Sequence, residues 1–207
     1  MKKGLFITVE GADGAGKSTQ IDFIMKYLQD RGIKSVFTRE PGGTKIGEKI
    51  RDILLDRENS EMNYMAEALL YAASRAQHVA EVIRPALLEG KAVVCDRFVD
   101  SSMAYQGVAR GLGESVAVIN SYAINDCMPD VTFLLKVDPS VSKRRIREDE
   151  CDRIEQEADE FHRRVYEGYI ELEKKFPDRI IGIDASKGVR EIGLEIGKHL
   201  ERIINAK

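Results

Sequence analysis

No apolar run in this chain approaches the length of a membrane span, so no membrane partner is expected. Proline is scarce, at 5 of 207 residues, while 43% of residues are hydrophobic and 32% charged. That balance excludes disordered and fibrous polymers and leaves a globular chain long enough for one domain with a sizeable core. Neither sign of charge dominates, since 32 Lys and Arg oppose 35 Asp and Glu for a net charge of −3. Broad wrapping of nucleic acid runs on net basic surface and is not expected, whereas a small basic pocket remains open. Cysteine is also sparse: Cys95, Cys127 and Cys151 are odd in number and form neither a CxxC pair nor metal-ligand spacing. Reduced thiols in a cytoplasmic protein are the plain expectation. The basic start MKKGLFITVEG has only a short apolar piece, interrupted at Glu10, and reads as a first strand rather than a leader.

What is present alternates between short β-branched runs and long amphipathic stretches. The pattern predicts strands at 5–10, 34–40, 92–98, 131–137 and 179–185, separated by helical segments. One long helical region is expected over about 62–88, and SSMAYQGVARGLG after the third strand reads as a loop rimming a site. A later helix is expected to carry Ile154, Ala158, Phe161, Val165, Tyr169, Leu172 and Phe176 on one face. Five strands alternating with helices imply an α/β fold, a mostly parallel sheet covered on both faces, in a single domain over 1–207.

GADGAGKS at 11–18 fits the phosphate-loop pattern G-x-x-x-x-G-K-[ST], placed between a strand and a helix as the motif requires. Gly11, Gly14 and Gly16 let the backbone wrap so that its N–H groups face phosphate oxygens, and the helix start adds its positive end. Lys17 would span the β- and γ-phosphates and Ser18 would place its hydroxyl on Mg²⁺. The donor site expected here comprises Gly11, Ala12, Asp13, Gly14, Ala15, Gly16, Lys17, Ser18 and Thr19. This defines a P-loop NTPase fold with a nucleoside triphosphate, and leaves the reaction open.

Open parallel sheets bind ligands beyond the carboxyl ends of their strands. Asp96, ending the third strand, suits a second magnesium handle, normally through water. Arg39 and Arg97 lie at neighbouring strand tips and, with Arg75, suggest a second anion site. Tyr71 and Arg75 are four apart on one helix face. They could pair a base-stacking ring with a hydrogen-bond donor, or be a core aromatic beside an ion pair. The charged run from 140 to 161 is either a solvated helix or a lid, over about 142–154, that closes on donor phosphates and excludes water. Arg144, Arg145, Arg147 and Arg153 are its cations.

Taken together, VEGADGAGKSTQ, TREPGGT, LLYAASRAQH, DRFVDSSMAYQG and DRIEQE resemble the thymidylate kinase family of nucleoside-monophosphate kinases. TREPGGT combined with DR…S..AYQG carries the resemblance far more specifically than the phosphate loop does. The resemblance implies transfer of phosphate from ATP to dTMP, giving ADP and dTDP for dTTP synthesis and DNA replication, with Mg²⁺ as cofactor and a homodimeric state. It implies that Asp13 approaches the acceptor sugar and helps organise Mg²⁺, and that Arg39 and Arg97 hold the acceptor phosphate. It also places Tyr71 against the base, where the family usually has Phe, Arg75 at a base carbonyl, and Ser102, Tyr105 and Gln106 beside base and sugar. Tyr105 would disfavour a 2′-hydroxyl. Because Ala15 stands where one branch of the family carries a loop arginine, the resemblance is to the bacterial type, whose lid supplies it. Arg153 is the expected catalytic arginine there, with Lys17, Arg97 and Asp13, and Arg147 a further donor ligand. The rival readings are a kinase of the same fold for another nucleotide or nucleoside, and a P-loop switch ATPase.

Overall fold

The computed structural model describes residues 4–143 and 152–205. Five strands, β1 (Phe6–Glu10), β2 (Ser35–Arg39), β3 (Ala92–Asp96), β4 (Val131–Lys136) and β5 (Ile180–Asp184), form one parallel sheet in the order β2-β3-β1-β4-β5. All five residues of β1 are buried, as a central strand covered on both faces must be. Its pairing with β3 on one side and β4 on the other sets the chain turning in opposite directions about β1, the arrangement that opens a crevice above the strand ends.

Helices α1 (Lys17–Asp30) and α9 (Val189–Asn205) cover one face, where Ile21, Ile24 and Leu28 meet Ile192, Ile196 and Leu200 over Ile7, Val9 and Phe133. On the other face, α3 (Tyr64–His78) runs through a π-helical turn, Val79–Ile83, into α4 (Arg84–Leu88). The long helical region is thus present, with one widened turn just ahead of Pro85. Proline lacks an N–H and crowds the carbonyl four residues back, and a wider turn accommodates both defects. Ile83, Leu87, Val93, Phe6 and Phe98 pack beneath it, the two Phe rings edge-to-face with centroids 5.0 Å apart. The remaining helices are α2 (Lys45–Leu55), α5 (Val99–Ser102), α6 (Glu114–Ile124), α7 (Pro139–Lys143) and α8 (Asp159–Lys175).

Two expectations about local structure change. The stretch after β3 is not a loop: α5 continues into a π-helical segment, Met103–Ala109, whose Ala104, Tyr105 and Ala109 bury against Phe161, Val165 and Tyr169 of α8. Packing overrides the loop-forming glycines and polar residues there. Ile154 and Ala158 are not helical; α8 begins at Asp159, and Ile154 reaches the same cluster from the turn before it. Among the described residues, no helix is long and apolar enough to cross a membrane.

Candidate active site

The phosphate loop leaves β1 at Glu10 and enters α1 at Lys17. Gly11 has φ 139°, and a Cβ there would stand 2.7 Å from the Leu135 carbonyl oxygen, so only glycine fits between the loop and β4. Lys17 is buried, its ammonium donating to the carbonyls of Gly11 and Ala12 at 3.3 and 3.1 Å and lying 3.4 Å from Asp13 Oδ1. Burial and the neighbouring Arg97 press its pKa down from the ordinary lysine value. Ala15, buried under the loop, contributes no cation.

Arg97, the residue after β3, takes a left-handed conformation with φ 63°. Such backbone costs on the order of 1–2 kcal/mol outside glycine, and the surroundings must enforce it. They do so through Glu10, whose carboxylate accepts from the Phe98 N–H at 2.7 Å, the Ser101 hydroxyl at 2.6 Å and the Tyr169 hydroxyl at 2.9 Å. Those two hydroxyls in turn accept from Arg97 Nη1, both at 3.3 Å. Arg97 Nη2 donates to Asp13 Oδ1 at 2.6 Å. Burial opposes the charge on Asp13, yet Arg97 and Lys17 outweigh it and hold the carboxyl well below the usual carboxylate range.

Glu10, Ser101 and Tyr169, which brace Arg97, were not singled out by the sequence pattern. A glutamate ending a fully buried strand was the available signal for Glu10; Tyr169 looked like an ordinary core position on α8. Burial, then the nearby Asp100, raises Glu10 to about 7, against the hydrogen bond from Ser101, the charge of Arg97 and the Phe98 N–H. A carboxyl whose folded pKa lies above its unfolded one stabilises the fold fully below the unfolded pKa, and that contribution is lost as pH rises through the folded one. Chemical denaturation should therefore show stability falling between about pH 4.5 and pH 7. Glu10→Gln should flatten that slope; an unchanged slope would remove Glu10 as its source.

Two contiguous cavities open above the strand ends and share Asp13, Glu40, Arg51 and Arg97. The first is lined also by Gly14, Gly16, Lys17, Ser18, Thr19, Arg39 and Asp96, gathering the donor loop, both expected metal handles and one expected acceptor arginine. The second is lined by Tyr71, Arg75, Ser102, Tyr105 and Gln106, with Phe98, Ser101, Asp152, Ile154 and Glu155. Arg51, which bridges both, went unremarked in the sequence because it lies on an amphipathic helix like any surface arginine.

Arg75 is 1% exposed and heavily engaged: it pairs with Glu40 at 2.7 Å, donates to Ser102 Oγ and the Phe98 carbonyl at 3.0 Å each, and contacts Asn120. Its Nε is buried without a hydrogen-bond partner among the described residues. Glu40 is held from its other side by His78 Nδ1 at 2.9 Å, while His78 Nε2 meets Thr38 Oγ1 at 2.6 Å. This buried network fixes the chain where TREPGGT turns beneath the cavity. Arg39 donates to the Pro41 carbonyl at 3.0 Å and pairs with Glu48 at 2.9 Å, half exposed at the rim. The Arg97 guanidinium lies 5.3 Å from the centroid of the Tyr105 ring.

Arg153, the expected catalytic arginine, lines neither cavity and is buried, with Nη2 2.7 Å from Glu67 Oε2 and Nε donating to the Leu54 carbonyl at 2.9 Å. A charged run gives no sign of such a partner, which lies on another helix. Arg144, Arg145 and Arg147, the other cations of the expected lid, lie outside the described residues.

A phosphate loop on a parallel sheet, with a second pocket rich in arginine and tyrosine that shares Asp13 and Glu40 with it, defines the chain as a P-loop phosphotransferase. The sequence profile described as "Thymidylate kinase" matches residues 9–196. The thymidylate kinase of Clostridium novyi (strain NT) is 49% identical, the alignment covering 95% of this chain and 98% of that one. That of Symbiobacterium thermophilum is 48% identical over 97% and 94% of the respective chains. Among solved structures, the thymidylate kinase of Ehrlichia chaffeensis superposes with a TM-score of 0.78 at 34% identity, covering 95% of this chain and 98% of that one. The chain belongs to the thymidylate kinase family.

Proposed function

We propose that the protein transfers the γ-phosphoryl group of ATP to dTMP, giving ADP and dTDP and so supplying dTTP synthesis for DNA replication. The observation that carries this reading is the pair of contiguous cavities meeting at Asp13 and Arg97, one built on the phosphate loop and the other on Tyr71, Arg75, Ser102 and Tyr105. Gly11 to Thr19 hold the triphosphate through backbone N–H groups, with Lys17 countering the charge of the transferring group. Arg39 and Arg97 hold the acceptor phosphate, whose second ionisation, at about 6, leaves its attacking oxygen charged at neutral pH without a general base. Tyr71 offers a ring face to the base and Arg75 a donor to its carbonyl, while Ser102, Tyr105 and Gln106 shape the sugar and base pocket.

Asp96 Oδ1 is buried without a hydrogen-bond partner among the described residues and belongs to a side chain that lines the same cavity as Ser18. An orphaned carboxylate oxygen beside a phosphate cradle fits a hard cation, so Ser18 and Asp96 would hold Mg²⁺ together with phosphate oxygens and water. Asp13, expected to help organise the ion, directs its Oδ1 to Arg97 and Lys17. Bound there, Mg²⁺ would supply charge neutralisation for the transferring phosphoryl group.

The test is ATP-dependent turnover of dTMP beside dUMP, CMP and thymidine, with an acceptor-free control. Rapid ADP formation with dTMP and little without acceptor is expected; equal ADP formation without acceptor would favour a switch ATPase. Tyr71 is half-buried, and its phenol is pushed above the ordinary tyrosine value by burial, Glu67 and Asp152, so it stays neutral. Tyr71→Phe should shift the KM for dTMP by no more than about threefold, the scale of one modest hydrogen bond, while changing preference among base analogues. Identical analogue profiles would leave the hydroxyl without a role.

The reading includes a homodimer in the cytoplasm. Helices α3 and α6 pack together and expose Leu69, Val118 and Tyr122, the last 81% exposed. Exposed large apolar side chains on packed neighbouring helices suit a self-complementary contact. Cys95 is a free, buried thiol, as a reducing compartment would leave it.

A further inference from the structure

Three side chains from two distant parts of the chain make four hydrogen bonds to the carboxylate of Glu67. Glu67 lies on α3 with its side chain fully buried. Its Oε1 accepts from Gln106 Nε2 at 2.9 Å and Arg110 Nε at 3.3 Å. Its Oε2 accepts from Arg110 Nη2 at 3.1 Å and Arg153 Nη2 at 2.7 Å. Arg110 also pairs with Glu157 at 2.6 Å, so two guanidinium groups meet two carboxylates and the cluster closes its own charge. Burial opposes ionisation of Glu67, but hydrogen bonds from Arg110 and Gln106, with the charges around them, keep its carboxyl below the ordinary glutamate value. Arg153 is doubly fixed, because its Nε and its backbone N–H donate to the Leu54 and Leu55 carbonyls at the end of α2, at 2.9 and 3.2 Å.

The neighbours of Arg153 face the other way. Asp152, Ile154 and Glu155 all line the cavity that also contains Tyr71 and Tyr105, and Arg153 does not. One residue turned outward into a saturated ion cluster thus holds three turned inward. A guanidinium neutralised by a buried carboxylate has no free charge to offer a triphosphate, since leaving Glu67 would strand an unpaired buried anion.

We propose that Arg153 is a positioning residue of the acceptor pocket: through Glu67 and the end of α2 it pins the segment 152–155 as one wall of the cavity that receives the nucleoside monophosphate. This rests on the reading of that cavity as the acceptor site. Loss of Arg153 loosens the wall, weakening acceptor binding and leaving the phosphate loop intact.

The experiment is steady-state kinetics of Arg153→Ala, Arg153→Lys, Glu67→Gln and the double variant Arg153→Ala/Glu67→Gln, with ATP and dTMP varied separately. Arg153→Ala should raise the KM for dTMP about tenfold or more, the scale of a lost charge-assisted hydrogen bond. Its KM for ATP and its kcat should stay within about threefold of wild type, a change under 1 kcal/mol. Arg153→Lys, which keeps the charge opposite Glu67, should recover part of the dTMP affinity. Glu67→Gln should show the same selective defect, and the double variant should be no worse than Arg153→Ala, because both remove one anchor. A kcat collapse in Arg153→Ala with dTMP affinity unchanged, or losses that add in the double variant, would overturn the proposal. If Arg153→Ala does not fold, Arg153→Lys and Glu67→Gln decide it by the same KM-against-kcat split. Wild-type enzyme run alongside separates the two readings: failure of wild type to turn over dTMP strikes the acceptor assignment, whereas a wild type that turns over normally leaves the variants to judge Arg153.

Discussion

Arg97→Ala should lower kcat/KM for phosphoryl transfer by about three to four orders of magnitude, roughly 4–5 kcal/mol of transition-state stabilisation. The guanidinium belongs to both cavities, and burial in company with Asp13 gives it a fixed position in a site with little water to screen it. Alanine keeps the same strained backbone class, so the loss reports the side chain rather than relief at φ 63°. Arg97→Lys keeps a charge but not the fork that spans Asp13 on one side and the hydroxyls of Ser101 and Tyr169 on the other. It should recover only part of the rate. A loss below tenfold in Arg97→Ala, measured by ADP release in the presence of dTMP, would place Arg97 outside the chemistry.

Arg179→Ala should be the most destabilising single change away from the phosphate loop. Arg179 grips Asp100 in two parallel contacts of 2.6 and 2.8 Å, and Asp100 is only 2% exposed. Thr132 Oγ1 completes the cluster, donating to Asp100 at 3.1 Å and accepting from Arg179 at 2.8 Å. Removing one partner of a buried ion pair costs about 3–5 kcal/mol because the other charge stays behind. For a chain of this size that corresponds to a fall in Tm of about 10 °C or more. The double change Arg179→Leu/Asp100→Asn should lose less than Arg179→Ala alone, since it leaves no buried charge. Thermal melts in which the double variant is the weaker would contradict this account.

Much of this molecule is written locally. A buried parallel strand reads as a short β-branched run because both of its faces must be apolar, and each expected strand contains an observed one. The phosphate loop is legible for a similar reason, as its glycines and its lysine answer to one short turn. The stretch 101–113 misled because Gly107, Gly111 and Gly113 with their polar neighbours look like a loop, while its helical form depends on α8, more than fifty residues later in the chain. The contacts of Arg153 were less legible still. It stands in a charged run that suits a lid, and its partner Glu67 lies 86 residues away on a helix whose own pattern says nothing of the pairing. Glu10 and Tyr169 were legible as strand and helix residues, but their meeting over Arg97 is a property of the sheet order, not of any stretch of sequence.

Asp13 carries a consequence of its own. A single oxygen, Oδ1, stands 2.6 Å from Arg97 and 3.4 Å from Lys17, so one carboxylate shares its charge between the cation of the phosphate loop and the cation after β3. A triphosphate that draws Lys17 away leaves Asp13 to Arg97 alone, and a monophosphate that draws Arg97 away leaves it to Lys17. On the proposed assignment of the two cavities, binding of one nucleotide is therefore expected to change the affinity for the other. Whatever factor one imposes on the affinity of the other must be returned in equal measure, because linkage between two sites is reciprocal.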